Sequence, residues 1–272
     1  MIVALMDNGS LEAGAHLNLR RVAEAMSAAT GVPIEAVSWK HSDRVAAAAL
    51  GGRNAWTLAP WIRAQLARGE REFVIVPFFI SAQGAIGSAL RGDLEKLQRE
   101  TATNGGFQFT FSEGLAGRNA IPPVIAARVR EVLSTAPVRK PSVVIVDHGG
   151  PSAASAALRD SLAAQVRPIL GEEIGVLVAA SMEGSFPPLL ADQLALPAFD
   201  RGDVVVAPLF LSPGRHAGPD GDIAQICRAA EAQLPNLRCH LTGLIGTHAD
   251  IIQPLALALR ETLATFQLPS PA

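Results

Sequence analysis

The sequence predicts an α/β protein made of two homologous domains, each with a mostly parallel four-stranded sheet flanked by helices. Short Val- and Ile-rich runs alternate with longer segments of helical period, which is typical of parallel sheets buried on both faces. Three motifs recur in the same order in both halves of the 272 residues. A segment with two prolines and no periodic pattern lies at the midpoint. We therefore expect domains at 1–135 and 142–268, joined by a linker at 136–141.

In the first half, each strand is predicted from an apolar run and each helix from an amphipathic stretch after it. The strands are predicted at Ile2–Met6, Ile34–Trp39, Phe73–Phe79 and Phe107–Phe111. The helices are predicted at Leu11–Ala29, Trp56–Ala67, Leu90–Glu100 and Pro123–Leu133.

The second half repeats this order after the proline-containing segment. Its strands are predicted at Val143–Val146, Val176–Ala180, Val204–Phe210 and Leu237–Leu241. Its helices are predicted at Ala153–Leu170, Pro188–Leu196, Ile223–Gln233 and Ile251–Phe266.

Composition excludes several classes of partner. Hydrophobic residues make up 49% of the chain and charged residues 18%, which is enough apolar material for a large core. Because 23 Lys and Arg are balanced by 25 Asp and Glu, and aromatics are 5% without tyrosine, we expect no nucleic-acid partner. Cys227 and Cys239 lack the spacing of a disulfide framework or zinc knuckle. The apolar run Met1–Met6 is too short for a signal peptide or a membrane span, so we expect a cytoplasmic protein with no membrane partner.

The repeat also indicates where the chemistry lies. The recurring segments follow strands, and they pair residues 6–9 with 146–149, 76–81 with 207–212, and 114–119 with 243–248. Ligands bind at the carboxyl ends of strands in open α/β folds.

Three histidines of the second half, His148, His216 and His248, follow three different strands, and their counterparts in the first half are Asn8, Ala85 and Asn119. Neutral imidazole binds divalent metals and also moves protons near neutral pH. A single histidine of this kind is usually an ordinary surface or core residue, but three at one sheet edge favour a site. Glu183 follows another strand of this half and could add a carboxylate ligand or base.

Several other motifs are absent. Gly9–Gly14 has the glycine spacing of a phosphate loop but lacks the following Lys-Ser/Thr, and neither G-x-G-x-x-G nor G-x-S-x-G occurs. ATP, nucleotide cofactors and a hydrolase triad are therefore not expected. No His-x-x-x-His or Cys-x-x-Cys pattern indicates a closed structural zinc site. An open site built from separate strand ends fits the sequence better.

The second half resembles the CbiX/SirB-type class II chelatases over residues 142–263, and the first half resembles them more weakly in the same order. The motifs that carry this resemblance are Val146-Asp147-His148-Gly149, Ser181-Met182-Glu183, the segment from Pro208 to His216 with Asp222-Ile223 after it, and Gly246-Thr247-His248. Where the family usually has Ser-Arg after His-Gly, this chain has Gly150-Pro151.

This resemblance implies ATP-independent insertion of cobalt, iron or nickel into sirohydrochlorin or a related tetrapyrrole, in cobalamin or sirohaem synthesis. It implies that His148 and His216 bind the metal and accept protons, with Glu183 as the acid of the site. Both domains would then have the chelatase-like (flavodoxin-like) fold, and the first half would be a degenerate domain without metal ligands.

The substrate's carboxylates require local cations, because the chain has a formal net charge of −2. Arg215 beside His216 is the first candidate, with Lys40 and Arg44 in the first half as exchanged carboxylate-binding groups. We also expect His248 to contact the ring. A chain that supplies two domains internally is expected to be a monomer.

Two other readings remain open at this stage. A non-catalytic tetrapyrrole- or metal-binding protein could keep the fold and lose turnover, as Gly150-Pro151 would allow. A flavodoxin-like regulatory module without metal would make the histidines incidental. The sequence does not separate the candidate metals, because imidazole suits all of them.

Overall fold

The computed structural model describes residues 1–80, 85–150, 153–200 and 202–267. It confirms the α/β class, with two parallel sheets of five and four strands flanked by helices. Residues 1–118 and 249–272 form a first compact unit, and residues 119–248 form a second. Ser81 of the second repeated segment, Pro151 of the Gly150-Pro151 departure and residue 268 lie outside the described residues.

The sheet of the first unit is parallel throughout, with strand order β3-β2-β1-β4-β5. Its strands are β1 (Ile2–Asp7), β2 (Ile34–Ser38), β3 (Trp56–Thr57), β4 (Glu72–Pro77) and β5 (Gln108–Phe111). The helices between them are α1 (Ala13–Thr30), α2 (Leu58–Ala67) and α3 (Ala85–Thr101).

The sheet of the second unit is also parallel throughout but has one strand fewer, in the order β7-β6-β8-β9. Its strands are β6 (Ser142–Asp147), β7 (Leu177–Ser181), β8 (Gly202–Pro208) and β9 (Leu237–Leu241). The helices around it are α4 (Ile121–Thr135), α5 (Ala153–Leu170), α6 (Leu190–Leu194) and α7 (Asp222–Gln233).

The compact units differ from the predicted halves because the last helix of each half packs elsewhere. Helix α8 (Ile252–Gln267) packs on α1 of the first unit, where Arg260 donates a hydrogen bond to the carbonyl of Ala29. Helix α4 packs on α5 and β8 of the second unit. The proline-containing segment 136–141 therefore lies inside the second unit, and the unit boundaries fall at 118–119 and 248–249.

Two details of the strands correct the predicted elements. The first sheet gains a fifth strand, because Trp56 and Thr57 pair with β2 and the predicted helix begins only at Leu58. Strands β4 and β8 end at Pro77 and Pro208, since proline has no N–H to continue the ladder. Among the helices of the described residues, none is long and apolar enough to cross a membrane.

In both units, an equivalent backbone hydrogen bond joins the loops after two neighbouring strands at the carboxyl edge of the sheet. The N–H groups of Lys40 and Glu183 donate to the carbonyls of Asn8 and His148, at 3.2 Å in each case. Lys40 is therefore the structural counterpart of Glu183, and Asn8 is the counterpart of His148.

Candidate active site

The sheet of the second unit brings three of the predicted residues to its carboxyl edge. His148 directly follows β6, Glu183 comes two residues after β7, and His216 lies in the loop after β8. Because β7 and β8 are the two neighbours of β6 in the sheet, the loops after these three strands emerge side by side.

His148 and His216 are in direct contact. Their rings meet edge to face, with centroids 4.6 Å apart and an interplanar angle of 87°. The side chain of His148 is 47% exposed and that of His216 is 29% exposed, so a ligand from solvent can reach both. Phe210 lies beside His216 at 6.5 Å between centroids and gives the site an apolar wall.

The neighbours of His148 fix which ring nitrogen carries the proton. Its Nδ1 lies 2.6 Å from the carbonyl oxygen of Gly149, and a carbonyl oxygen accepts but never donates. In the neutral ring Nδ1 therefore holds the hydrogen, and Nε2 keeps a lone pair for a metal or a proton. That Nε2 is 3.6 Å from Oε1 of Glu183.

His216 is oriented by a carboxylate. Its Nδ1 lies 2.6 Å from Oδ2 of Asp222, the first residue of α7. A carboxylate on one ring nitrogen sets the tautomer and the orientation of the ring, as around metal-binding histidines. Arg215 is 82% exposed, and its Nε is 3.8 Å from the same oxygen of Asp222.

His248 lies beside α4. Its Nε2 is 3.5 Å from Oε1 of Glu131, and its side chain is 15% exposed. Arg128 joins this cluster with hydrogen bonds of 2.7 Å to Glu131 and to the hydroxyl of Thr247. His248 thus belongs to a charged cluster with α4, whereas His148 and His216 contact each other.

Lys40 and Arg44 line a cavity of about 460 Å³ in the first unit. Nζ of Lys40 is 3.6 Å from Oδ2 of Asp93 and lies over the ring of Trp39 at 3.7 Å. The lining also contributes Arg63 and Lys96, together with the acidic residues Asp43, Asp93 and Glu100. Both predicted carboxylate-binding residues therefore share one accessible cavity with charges of both signs.

The site is a set of pairwise contacts. Within residues 1–80, 85–150, 153–200 and 202–267, no group of three or more His, Cys, Asp or Glu side chains is placed to hold a metal ion together. The contacts join His148 to His216 and His148 to Glu183.

Two residues of this site have contacts that the sequence analysis did not predict: Asp222, which was named only as part of a motif, and Arg159. Asp222 had a usable signal, since an acid in the first turn of a helix six residues after His216 can face back toward the loop. Arg159 had none, because an arginine in the middle of α5 has the sequence pattern of a solvated helix face, yet its side chain is buried.

The equivalent edge of the first unit holds a buried polar cluster, and an exposed histidine, His41, lies in the loop after β2 beside Lys40. Asp7 ends β1 opposite Ser38 of β2, and Nδ1 of His16 lies 3.3 Å from the Ser38 hydroxyl. Burial raises the pKa of Asp7 from 3.8 to about 6, although hydrogen bonds from Ser38 and Gly9 oppose it. Burial, with a contribution from Arg20, lowers the pKa of His16 from 6.5 to about 4.

The protein thus has two open parallel α/β sheets, and the second carries a histidine pair at its carboxyl edge. Residues 142–262, which make up most of the second half of the chain, match the CbiX family model. This confirms the resemblance to the CbiX/SirB-type class II chelatases. A search of curated protein sequences finds no significant match.

Solved structures extend this likeness over nearly the whole chain. SirB from Bacillus subtilis with Fe3+ is 15% identical, covers 98% of both chains and superimposes with a TM-score of 0.69. SirB from Bacillus subtilis subspecies spizizenii in complex with cobalt is 14% identical, covers 97% of both and gives 0.68. CbiX, the terminal enzyme of sirohaem biosynthesis in denitrifying bacteria, is 16% identical, covers 96% of this chain and 99% of its own, and gives 0.61. At these identities the likeness establishes the two-domain chelatase fold.

Proposed function

We propose that this protein is a metal chelatase that inserts cobalt or iron, without ATP, into sirohydrochlorin or a related tetrapyrrole of cobalamin or sirohaem biosynthesis. The observation that carries the proposal is the ring contact of His148 and His216, each anchored through Nδ1. In the neutral rings, the lone pair of each Nε2 therefore lies on an exposed edge, where it can bind a metal ion.

The metal is a substrate that must be held and then released. Two imidazoles and the carboxylate of Glu183 replace part of the cation's hydration shell. Metal bonds to these ligands are about 2.1 Å long, so the rings of His148 and His216, whose centroids are 4.6 Å apart, would turn both Nε2 atoms toward a shared ion. Because the protein supplies only a small number of ligands, all on flexible side chains, it would hold the ion weakly enough to transfer it to the four ring nitrogens.

The same residues serve as bases. Metallation of the ring releases two pyrrole protons for each divalent ion that enters. Nε2 of His148 or His216 would accept one of these protons, and the carboxylate of Glu183, 3.6 Å from Nε2 of His148, would accept the other, before both pass to solvent. The Asp222 carboxylate orients the ring of His216 for this role through its contact with Nδ1.

Carboxylates of the tetrapyrrole require cationic partners. We assign this role to Arg215, whose guanidinium is 82% exposed beside His216, and to Lys40 and Arg44 in the first-unit cavity. His248, which lies beside Glu131, is assigned a contact with the tetrapyrrole ring.

The first unit is proposed as a supporting domain. Its counterparts of His148 and Glu183 are Asn8 and Lys40, which are poor ligands for a divalent metal. A single chain with both domains is proposed to act as a cytoplasmic monomer.

A second candidate is a carrier that binds a metal or tetrapyrrole without turnover. It is favoured by the finding that the described residues hold no preformed group of three metal ligands, and by the departure from the family at Gly150-Pro151.

Steady-state absorbance of sirohydrochlorin with cobalt or ferrous iron separates the two candidates. We expect repeated turnovers for the wild type and a loss of about 100-fold or more for His148→Ala and His216→Ala. His240→Ala is the matched control, because it removes an imidazole that pairs with Asp203 at 2.7 Å near the start of β8. One equivalent of product per protein would support the carrier, and full activity of both site variants would refute the assigned residues.

A further inference from the structure

Arg159 is an unusual residue for a helix of a small α/β unit, because its side chain is 1% exposed. A buried guanidinium is costly unless each of its N–H groups finds an acceptor. It extends from α5 to the ends of β6 and β7, the strands that precede His148 and Glu183.

The contacts of Arg159 join separate parts of the chain. Nη1 donates to the hydroxyl of Ser181 at 2.5 Å and to the carbonyl of Phe186 at 3.3 Å. Nη2 donates to the carbonyl of Pro187 at 3.4 Å. Nε donates to Asp160 at 2.8 Å. Both ends of the loop that contains Glu183 are therefore held by one side chain.

The same cluster reaches His148. Ser181 donates its hydroxyl hydrogen to Oδ1 of Asp147 at 2.8 Å, and Nη1 of Arg159 is 3.9 Å from that oxygen. Asp147 is the residue before His148, and its carbonyl accepts from the N–H of Met182 at 2.8 Å. The buried residues Arg159 and Ser181 thus form a cluster with the partly buried Asp147 directly beneath both site residues.

We infer that Arg159 is a positioning residue that fixes the loops of His148 and Glu183 in the geometry of the site. It lies beneath the reacting groups and acts through Ser181, Asp147 and the carbonyls of Phe186 and Pro187. This inference rests on the proposed function for its catalytic meaning, but the ordering of His148 is a property of the protein alone.

The first unit provides an internal comparison. Asp7 and Ser38 repeat the register of Asp147 and Ser181, but His16 occupies the place of the guanidinium. An imidazole has two nitrogens and cannot hold a serine, a carboxylate and two carbonyls together. The buried Arg159 thus occurs in the unit that has the histidine pair. In the unit that has Asn8 and Lys40 in place of the site residues, the imidazole of His16 takes its position.

The test uses the full chain with Arg159→Lys and with the double variant Asp147→Asn/Arg159→Met. The double variant removes the buried charge of Arg159 together with the partly buried charge of Asp147, so neither is left without its partner if the single variant unfolds. His16→Gln is the control in the first unit. Thermal unfolding identifies which variants are folded.

The first readout is the imidazole 15N spectrum of His148, which needs neither metal nor turnover. We expect an Nδ1-protonated tautomer in the wild type and in His16→Gln, and a tautomer mixture in the Arg159 variants. The second readout is turnover, where kcat should fall about 10- to 100-fold with KM for the tetrapyrrole unchanged.

Unchanged His148 spectra in both folded Arg159 variants would overturn the inference. Absence of turnover in the wild type would instead refute the proposed function, and the 15N spectra would still decide the role of Arg159. A rise in KM at constant kcat would also contradict positioning, because it would indicate a direct contact with substrate.

Discussion

The carboxylate of Asp222 lies 2.6 Å from Nδ1 of His216 and sets the orientation of that ring. The Asp222→Asn substitution keeps the shape of the side chain but removes its charge, and its amide can present a donor where the ring needs an acceptor. We expect a loss of about 10- to 100-fold in cobalt affinity, measured by titrating the visible absorbance of cobalt.

Asp220→Asn is the matched control for that experiment. Asp220 is two residues away, fully exposed, and 3.8 Å from Nη1 of Arg228. If both variants bind cobalt with the same affinity as the wild type, Asp222 has no role in orienting His216.

The absence of a side chain at Gly149 allows the loops of His148 and Glu183 to approach each other closely. It has a φ of +79°, and a Cβ there would come within 1.7 Å of the carbonyl oxygen of Glu183. We expect Gly149→Ala to destabilise the protein by more than about 1 kcal/mol and to displace His148, which lowers cobalt affinity.

Gly9→Ala makes the same change in the first unit, where a Cβ would come within 1.6 Å of the Lys40 carbonyl oxygen. This variant should lose comparable stability in urea unfolding while its folded fraction binds cobalt as the wild type does. Equal losses of cobalt affinity in both variants would show that the site depends on general stability.

The cations of the first-unit cavity are expected to act on substrate binding. The double variant Lys40→Met/Arg44→Met should raise KM for the tetrapyrrole at least about tenfold with kcat unchanged, since charge-assisted hydrogen bonds are each worth about 1.5–3 kcal/mol. Arg68→Met is the control, because Arg68 is exposed at the end of α2, away from the cavity. An unchanged KM would remove Lys40 and Arg44 from the substrate site.

The sequence predicts the local structure well because periodicity is a local property. The strand Leu237–Leu241 and the helix Ala153–Leu170 have the predicted bounds. It does not predict that α8 packs on α1, since an amphipathic face shows that a helix is buried but not which partner covers it. The two-residue strand β3 is too short to produce a period.

The residues of the candidate site also differ in whether the sequence alone predicts their position. His148, Glu183 and His216 are predictable, because residues after parallel strands meet at one edge. The buried Arg159 is not, because its acceptors Ser181, Phe186 and Pro187 lie 22 to 28 residues away and only the folded loop presents them together. The position of His248 beside Glu131 depends in the same way on the packing of α4 in the second unit.

The buried pair Asp7 and His16 leads to a prediction about stability and pH. Among the described residues, neither Oδ1 of Asp7 nor Nε2 of His16 has a hydrogen-bond partner. Burial raises the pKa of Asp7 to about 6, so its stabilising contribution is complete below about pH 4 and is lost as the pH rises through 6. Burial lowers the pKa of His16 to about 4, so its contribution is complete above pH 6.5 and is lost as the pH falls through 4.

The two contributions have opposite slopes between pH 4 and 6 and largely cancel in the wild type. Each slope is about 1.4 kcal/mol per pH unit, the free-energy equivalent of one unit of pKa. Relative to the wild type, the unfolding free energy of Asp7→Asn should therefore rise with pH over this range, and that of His16→Gln should fall. Urea unfolding at pH 4.5, 5.0 and 5.5 measures both differences. Parallel profiles of the three proteins would mean that Asp7 and His16 do not titrate differently in the folded and unfolded chains.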